Sequence, residues 1–172
     1  MDSLHQLELD WIAAIQGNGA LKSLMHKFSY LGSEAFPFVL PFIYFVVSRT
    51  AGQRLYLLFS GGRSVLQMLK LAFHLPRPFW IDPRIRELSG SGGYGMPSGH
   101  VFAATIVWPF VGGIAGRPWG WFAALAFILA VSVSRVYLGV HFISDVVAAW
   151  VVGGGLYWMF GRVEKDLTNW LN

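Results

Sequence analysis

Trp119-Gly-Trp-Phe-Ala-Ala-Leu-Ala-Phe-Ile-Leu-Ala-Val-Ser-Val-Ser-Arg-Val-Tyr-Leu138 holds a single charge, Arg135, close to its end. The stretch reads as a membrane-spanning helix, and its one charge is conspicuous. In hydrocarbon a charged side chain is costly and rarely idle. Just beyond it come His141 and Asp145, at the start of a second apolar stretch, Phe142–Phe160.

The whole chain has the same character. Its 172 residues are 55% hydrophobic and 16% aromatic, with 13% charged against about 25% in an ordinary soluble domain. The length allows one compact domain, 1–172, of several spans. A net charge of +4 comes from 13 scattered Lys and Arg with no basic run. Binding to a phosphate backbone needs clustered charge, so no nucleic-acid partner is expected. With no cysteine, thiolate metal sites, disulfides and cysteine nucleophiles are excluded.

Five spans are predicted: Phe28–Val47, Leu55–Phe73, Ser98–Ala115, Trp119–Leu138 and Phe142–Phe160. Ser98–Ala115 would rise about 27 Å as a helix, close to the hydrocarbon thickness. Gly116-Arg117-Pro118 makes a tight turn flanked by Trp119 and Trp121 as interfacial anchors. Ahead of this core (28–160), Leu4, Leu7, Trp11, Ile12 and Ile15 recur at helical spacing, opposite Asp2, His5, Glu8 and Asp10. Residues 1–17 therefore read as a helix in the membrane interface, or as one that caps the bundle. The fold class is an all-α integral-membrane bundle.

Because spans alternate direction, three polar segments converge on one membrane face. Lys70-Leu-Ala-Phe-His-Leu-Pro-Arg77-Pro78 closes the second span, Pro97-Ser98-Gly99-His100 opens the third, and Ser134-Arg135 through His141 to Asp145 joins the fourth to the fifth. This set suits metal-free phosphoryl transfer, which needs charge neutralisation and in-line positioning. Lys70, Arg77 and Arg135 supply charge, and the guanidiniums fit phosphate oxygens in a fork. Backbone N–H groups of Ser98, Gly99 and His100 at a helix start add an anion site, and Ser98 adds a hydroxyl. His141 and Asp145, at i and i+4, share a helix face. The carboxylate holds one imidazole nitrogen and leaves the other to attack phosphorus. His100 is left to protonate the departing oxygen, then to activate water.

The three segments resemble the three signature motifs of the type-2 phosphatidic acid phosphatase superfamily, which also includes vanadium-dependent haloperoxidases. The match covers Lys70–Pro78, Pro97–His100 and Ser134–Asp145 at the family's spacings. The resemblance implies His141 as nucleophile oriented by Asp145, His100 as acid, and Lys70, Arg77, Ser98, Gly99 and Arg135 as the phosphate cradle. It also implies a metal-independent enzyme without cofactor, acting on lipid phosphates. Many membrane-bound members have six spans, one more than the five counted here.

The expected activity is hydrolysis of a lipid phosphate or diphosphate, of the phosphatidic acid, phosphatidylglycerol phosphate or undecaprenyl diphosphate type. The alternatives are a phosphotransferase using the same phosphohistidine, a haloperoxidase, which the spans oppose, and a non-enzymatic anion-binding membrane protein. Among the remaining polar residues, His74 is read as structural, Glu34 as placed at the membrane interface, and Arg63 as snorkelling or helix–helix hydrogen bonding ahead of pairing with a carboxylate or reaching substrate. The glycine-rich run Ser89–Gly95 is read as a lid, and Phe79 and Trp80 as contacts to a lipid chain or loop anchors. Arg49, Arg54, Arg117, Arg162 and Lys165 lie on the face opposite the site, against Lys22, Lys27, Arg84 and Arg86 beside it. That balance favours a cell inner membrane with the site outside the cytoplasm.

Overall fold

Helices start and stop where the chain supplies the means. In a computed structural model describing residues 3–17, 19–32 and 35–171, eight α-helices follow one another, with no strand among the described residues. They are α1 (Ser3–Gln16), α2 (Lys22–Tyr30), α3 (Phe36–Phe42, continued by a π turn Ile43–Val47), α4 (Arg49–Phe73), α5 (Pro78–Ile81), α6 (Gly99–Ala115), α7 (Pro118–Tyr137) and α8 (Ile143–Leu171). Ser48 caps α4, its hydroxyl accepting from the Ala51 N–H. Prolines open α5 and α7, where a missing N–H costs nothing.

α6 is the central helix, touching α4, α7 and α8. Val101, Phe102, Ala104, Ile106 and Val107 are buried among Leu55, Leu58 and Leu66 of α4, Val131 of α7, and Val146 and Ala149 of α8. α6 and α7 form a hairpin through Gly116–Arg117. Their backbones meet at Gly112 and Gly120, where a Cβ on either would stand 2.6–2.7 Å from the other's carbonyl oxygen. Small residues at such crossings let helices pack closely in lipid.

The outer surface is apolar: Phe45, Phe122, Val151 and Trp158 are all exposed, as expected where lipid is the solvent. Two helices, Pro118–Tyr137 and Ile143–Val163, are long and apolar enough to cross a bilayer on their own. The expectation of five is therefore met in part. α6 is apolar but shorter, and α4 is interrupted by polar residues along one face.

The predicted first span, Phe28–Val47, is not one helix. α2 ends at Tyr30 and a new helix begins at Phe36. Hydropathy runs on through this region, but Gly32 sits in a turn against His100 and α3 starts anew with Pro37 in its first turn. Glu34 lies outside the described residues.

α1 packs across the end of the bundle. Leu9 and Ile12 are buried with Ile85 and Phe142, whereas Leu7 and Trp11, predicted on the same apolar stripe, face outward. Gln16 continues the buried face, donating to the carbonyls of Arg86 and Tyr137 and accepting from the Arg86 N–H.

Candidate active site

The three polar segments meet at the end of the bundle that α1 covers. The Ser98 N–H donates to the Asp145 carbonyl at 3.1 Å, stitching the start of α6 to that of α8. Lys70 donates to the carbonyls of Tyr94 and Gly95, at 2.7 and 3.1 Å. Lys70, Arg77, Gly99, His100, Arg135 and His141 line one cavity of about 550 Å³. Ser98 is wholly buried beside it, and Asp145 stands behind His141.

His141 sits between α7 and α8, 2% exposed. Its Nδ1 lies 3.1 Å from Asp145 Oδ2, which also accepts the Phe142 N–H at 3.1 Å. Its Nε2 faces Arg77 Nη1 at 3.3 Å. A guanidinium only donates, so the lone pair belongs on Nε2 and the proton on Nδ1. Burial first, then the positive Arg77 and its neighbours, hold the imidazole well below its ordinary pKa. The imidazole therefore favours its neutral form, with the Nε2 lone pair turned to the Arg77 guanidinium at the cavity wall.

The turn that presents His141 depends on Gly139, whose φ is +74°. A side chain there would run into the Gln16 amide and stand 2.6 Å from the Arg86 carbonyl. The packing of α1 and the approach of the 82–88 loop are both built around this missing Cβ.

Arg77 is 4% exposed. Its Nε donates to Gly93, Nη1 to Val140, and Nη2 to Gly92 and Tyr94, all carbonyls at 2.8–3.3 Å. Arg135 donates to the hydroxyls of Ser29, Ser89 and Ser91. The glycine-rich run therefore lies directly on the cation cluster, where the sequence suggests a lid. Two buried polar atoms have no partner among the described residues: Ser98 Oγ and Arg135 Nε. Unpaired buried groups are rare and costly, and both belong to the predicted anion cradle.

Several contributors went unread in the sequence. Ser29 on α2 fixes Arg135, and Glu8 accepts from the Ser144 N–H at 3.1 Å in the first turn of α8. Neither stands in a motif. His74 closes α4 in a left-handed conformation, its ring edge-on to Tyr94, in keeping with the structural role expected of it. Phe79 packs into the smaller apolar clusters while Trp80 is half exposed. Among the described residues no three His, Cys, Asp or Glu side chains gather as metal ligands.

The fold is shared with solved structures. A transmembrane phosphatidylglycerolphosphate phosphatase of PAP2 type from Bacillus subtilis superposes with a TM-score of 0.81 at 22% identity, covering 96% of this chain and 88% of that one. LpxE from Aquifex aeolicus gives 0.76 at 20% identity, over 91% and 95%. In sequence, phosphatidylglycerophosphatase B of Bacillus subtilis (strain 168) is 28% identical over 163 residues, 86% of this chain and 77% of that protein. An undecaprenyl-diphosphatase of Sulfolobus acidocaldarius is 30% identical over 95 residues, but the match spans only 52% of this chain and 43% of that relative. The family model described as the PAP2 superfamily matches residues 35–168, a range that contains every residue of the cavity cradle and the His141–Asp145 pair. The chain belongs to the PAP2 superfamily.

Proposed function

We propose that this protein is a metal-independent, integral-membrane lipid phosphatase working through a phosphohistidine on His141. The observation that carries the reading is the imidazole of His141, with Nδ1 on Asp145 and the Nε2 lone pair turned to Arg77 at the wall of a cationic cavity. Nε2 attacks phosphorus, a P–N bond forms, and the P–O bond to the lipid breaks. The departing oxygen takes its proton from His100. Asp145 stabilises the positive charge that develops on the ring. His100 then removes a proton from water, the hydroxide displaces Nε2 from phosphorus, and inorganic phosphate leaves.

Lys70, Arg77, Arg135, Ser98 and the Gly99 N–H neutralise the phosphoryl oxygens through both steps. The relatives named for lipid phosphates and diphosphates support a substrate whose tail stays in the bilayer. The apolar exterior supports a multi-pass placement with α1 at the interface, Leu7 and Trp11 turned to lipid. The cytoplasmic membrane, with the site on its outer face, fits the distribution of Lys and Arg.

The test is phosphate release in detergent from phosphatidic acid, phosphatidylglycerol phosphate and undecaprenyl diphosphate, comparing wild type with His141→Ala. Release by the wild type alone supports the reading. Equal release by both proteins overturns it, and transfer to an added acceptor lipid without phosphate release would indicate a transferase.

A further inference from the structure

Arg63 lies seven residues before Lys70 on α4, about 10 Å along the helix, inside a segment otherwise suited to the bilayer. No carboxylate among the described residues pairs with it. It lines the same cavity as Lys70, Arg77, His100, Arg135 and His141, and Gln67, one turn nearer Lys70, lines it too. Its guanidinium reaches the first turn of α6: Nη1 is 3.5 Å from where a Cβ on Gly99 would stand, next to His100. A cationic side chain within an apolar bundle that lines a cavity, with no carboxylate partner among the described residues, points to a ligand.

We infer that Arg63, assisted by Gln67, forms a second anion subsite on the leaving-group side of the cradle, taking the lipid-linked phosphate of a lipid diphosphate. The inference rests on the phosphatase reading above and adds the group that sits beyond the attacked phosphorus. Geometry and charge agree. His100 is the proposed donor to the departing oxygen, so the group beside it is the one that oxygen joins to the tail. Arg63 also lies toward the bilayer from Lys70, the direction in which the tail must run.

The cavity is lined by Arg63, Lys70, Arg77 and Arg135, with Asp145 behind His141. A phosphate monoester brings roughly −2, which leaves one of these cations without a counter-charge. A second phosphate in diester linkage supplies about −1 more. In the reaction, Nε2 bonds to the terminal phosphorus and the bond from that phosphorus to the bridging oxygen breaks. The lipid monophosphate departs with the electron pair, its charge held by Arg63.

The experiment compares farnesyl diphosphate with farnesyl monophosphate, identical in tail, for wild type, Arg63→Gln and Arg63→Lys. Arg63→Gln is expected to lower the diphosphate-over-monophosphate ratio of kcat/KM by about 10- to 100-fold, the range of a lost charge-assisted hydrogen bond. Arg63→Lys is expected to recover part of it. Isothermal titration with methylenediphosphonate and methylphosphonate gives a readout free of turnover. The Arg63→Gln protein should lose at least tenfold in affinity for the first relative to the second. Equal losses for both lipids, or an unchanged ratio of the two phosphonate affinities, would overturn the subsite. Failure of the wild type to hydrolyse either lipid would count against the phosphatase reading instead, and the titration would still decide the role of Arg63.

Discussion

His141 and Asp145 form a buried pair, Nδ1 to Oδ2 at 3.1 Å, in which the same carboxylate oxygen also receives the Phe142 N–H. Two donors converging on one oxygen fix the carboxylate, and the carboxylate fixes the ring. The other ring nitrogen, Nε2, is left to the cavity side, where Arg77 faces it at 3.3 Å.

Replacing Asp145 by Asn keeps the shape and removes the charge that steadies the ring as it turns cationic. kcat is expected to fall by about 10²–10⁴-fold, with a smaller change in KM, because substrate phosphate meets the cations and not Asp145. Steady-state kinetics on the preferred lipid phosphate checks this. A variant that retains full kcat would remove Asp145 from the chemistry.

Ser98 Oγ is buried with no partner, so its hydroxyl contributes nothing to the fold that alanine would forfeit. Ser98→Ala is expected to leave the melting temperature in detergent unchanged or slightly raised. Its kcat/KM should fall by about tenfold or more, the loss of one hydrogen bond to a charged oxygen. A large drop in melting temperature would assign Ser98 to packing instead.

Burial and the neighbouring cations keep His141 unprotonated below its ordinary pKa. The unfolded chain takes up a proton on this residue near pH 6.5, whereas the native site does not. Folding stability from this group is therefore present above pH 6.5 and is lost as pH falls below it. Melting curves at pH 7 and pH 5 should show a smaller acid-side drop for His141→Gln than for wild type. Identical drops would show that the imidazole titrates alike in both states.

The cradle gathers cations and hydroxyls, and no cluster of three metal-type ligands is found among the described residues. Activity is expected to survive excess EDTA. Vanadate should compete with substrate, since it takes up the five-coordinate geometry of the transferring phosphoryl group. Loss of activity in EDTA that magnesium restores, or non-competitive inhibition by vanadate, would require a different mechanism.

Much of this site was legible in the sequence because its residues stand at helix ends. Lys70, Arg135 and Asp145 occupy the last or first turns of helices and Ser98 precedes the first turn of another, and alternation of direction brings those ends together. What hydropathy could not resolve is where an apolar run breaks. Phe28–Val47 is apolar enough to look continuous, yet Gly32 turns against His100 and a new helix opens at Phe36 with Pro37 in its first turn. The hydroxyls that hold the cations in place were equally hard to read. Ser29, Ser89 and Ser91 hold Arg135 through hydroxyls brought from 44 to 106 residues away, and a serine carries no periodic signal. Gln16 did leave a trace: it falls on the Leu9–Ile12 face, where a buried amide must find backbone partners.

One helix supplies much of the polar lining of the cavity. α4 carries Arg63, Gln67 and Lys70 along its cavity side while Leu55, Leu58 and Leu66 pack into the core. Read in the sequence as the span Leu55–Phe73, it is not among the two helices apolar enough over their length to cross a bilayer.

The most direct measurement is to trap the covalent intermediate. Wild type and His141→Ala would be mixed with a lipid phosphate labelled with ³²P at its terminal group, quenched in alkali within milliseconds, and digested for peptide mapping. Label stable to alkali, labile to acid and confined to the peptide holding His141 is expected in the wild type and absent from the variant. Turnover by the wild type with label on another residue, or undiminished turnover by His141→Ala, would contradict a nucleophilic His141.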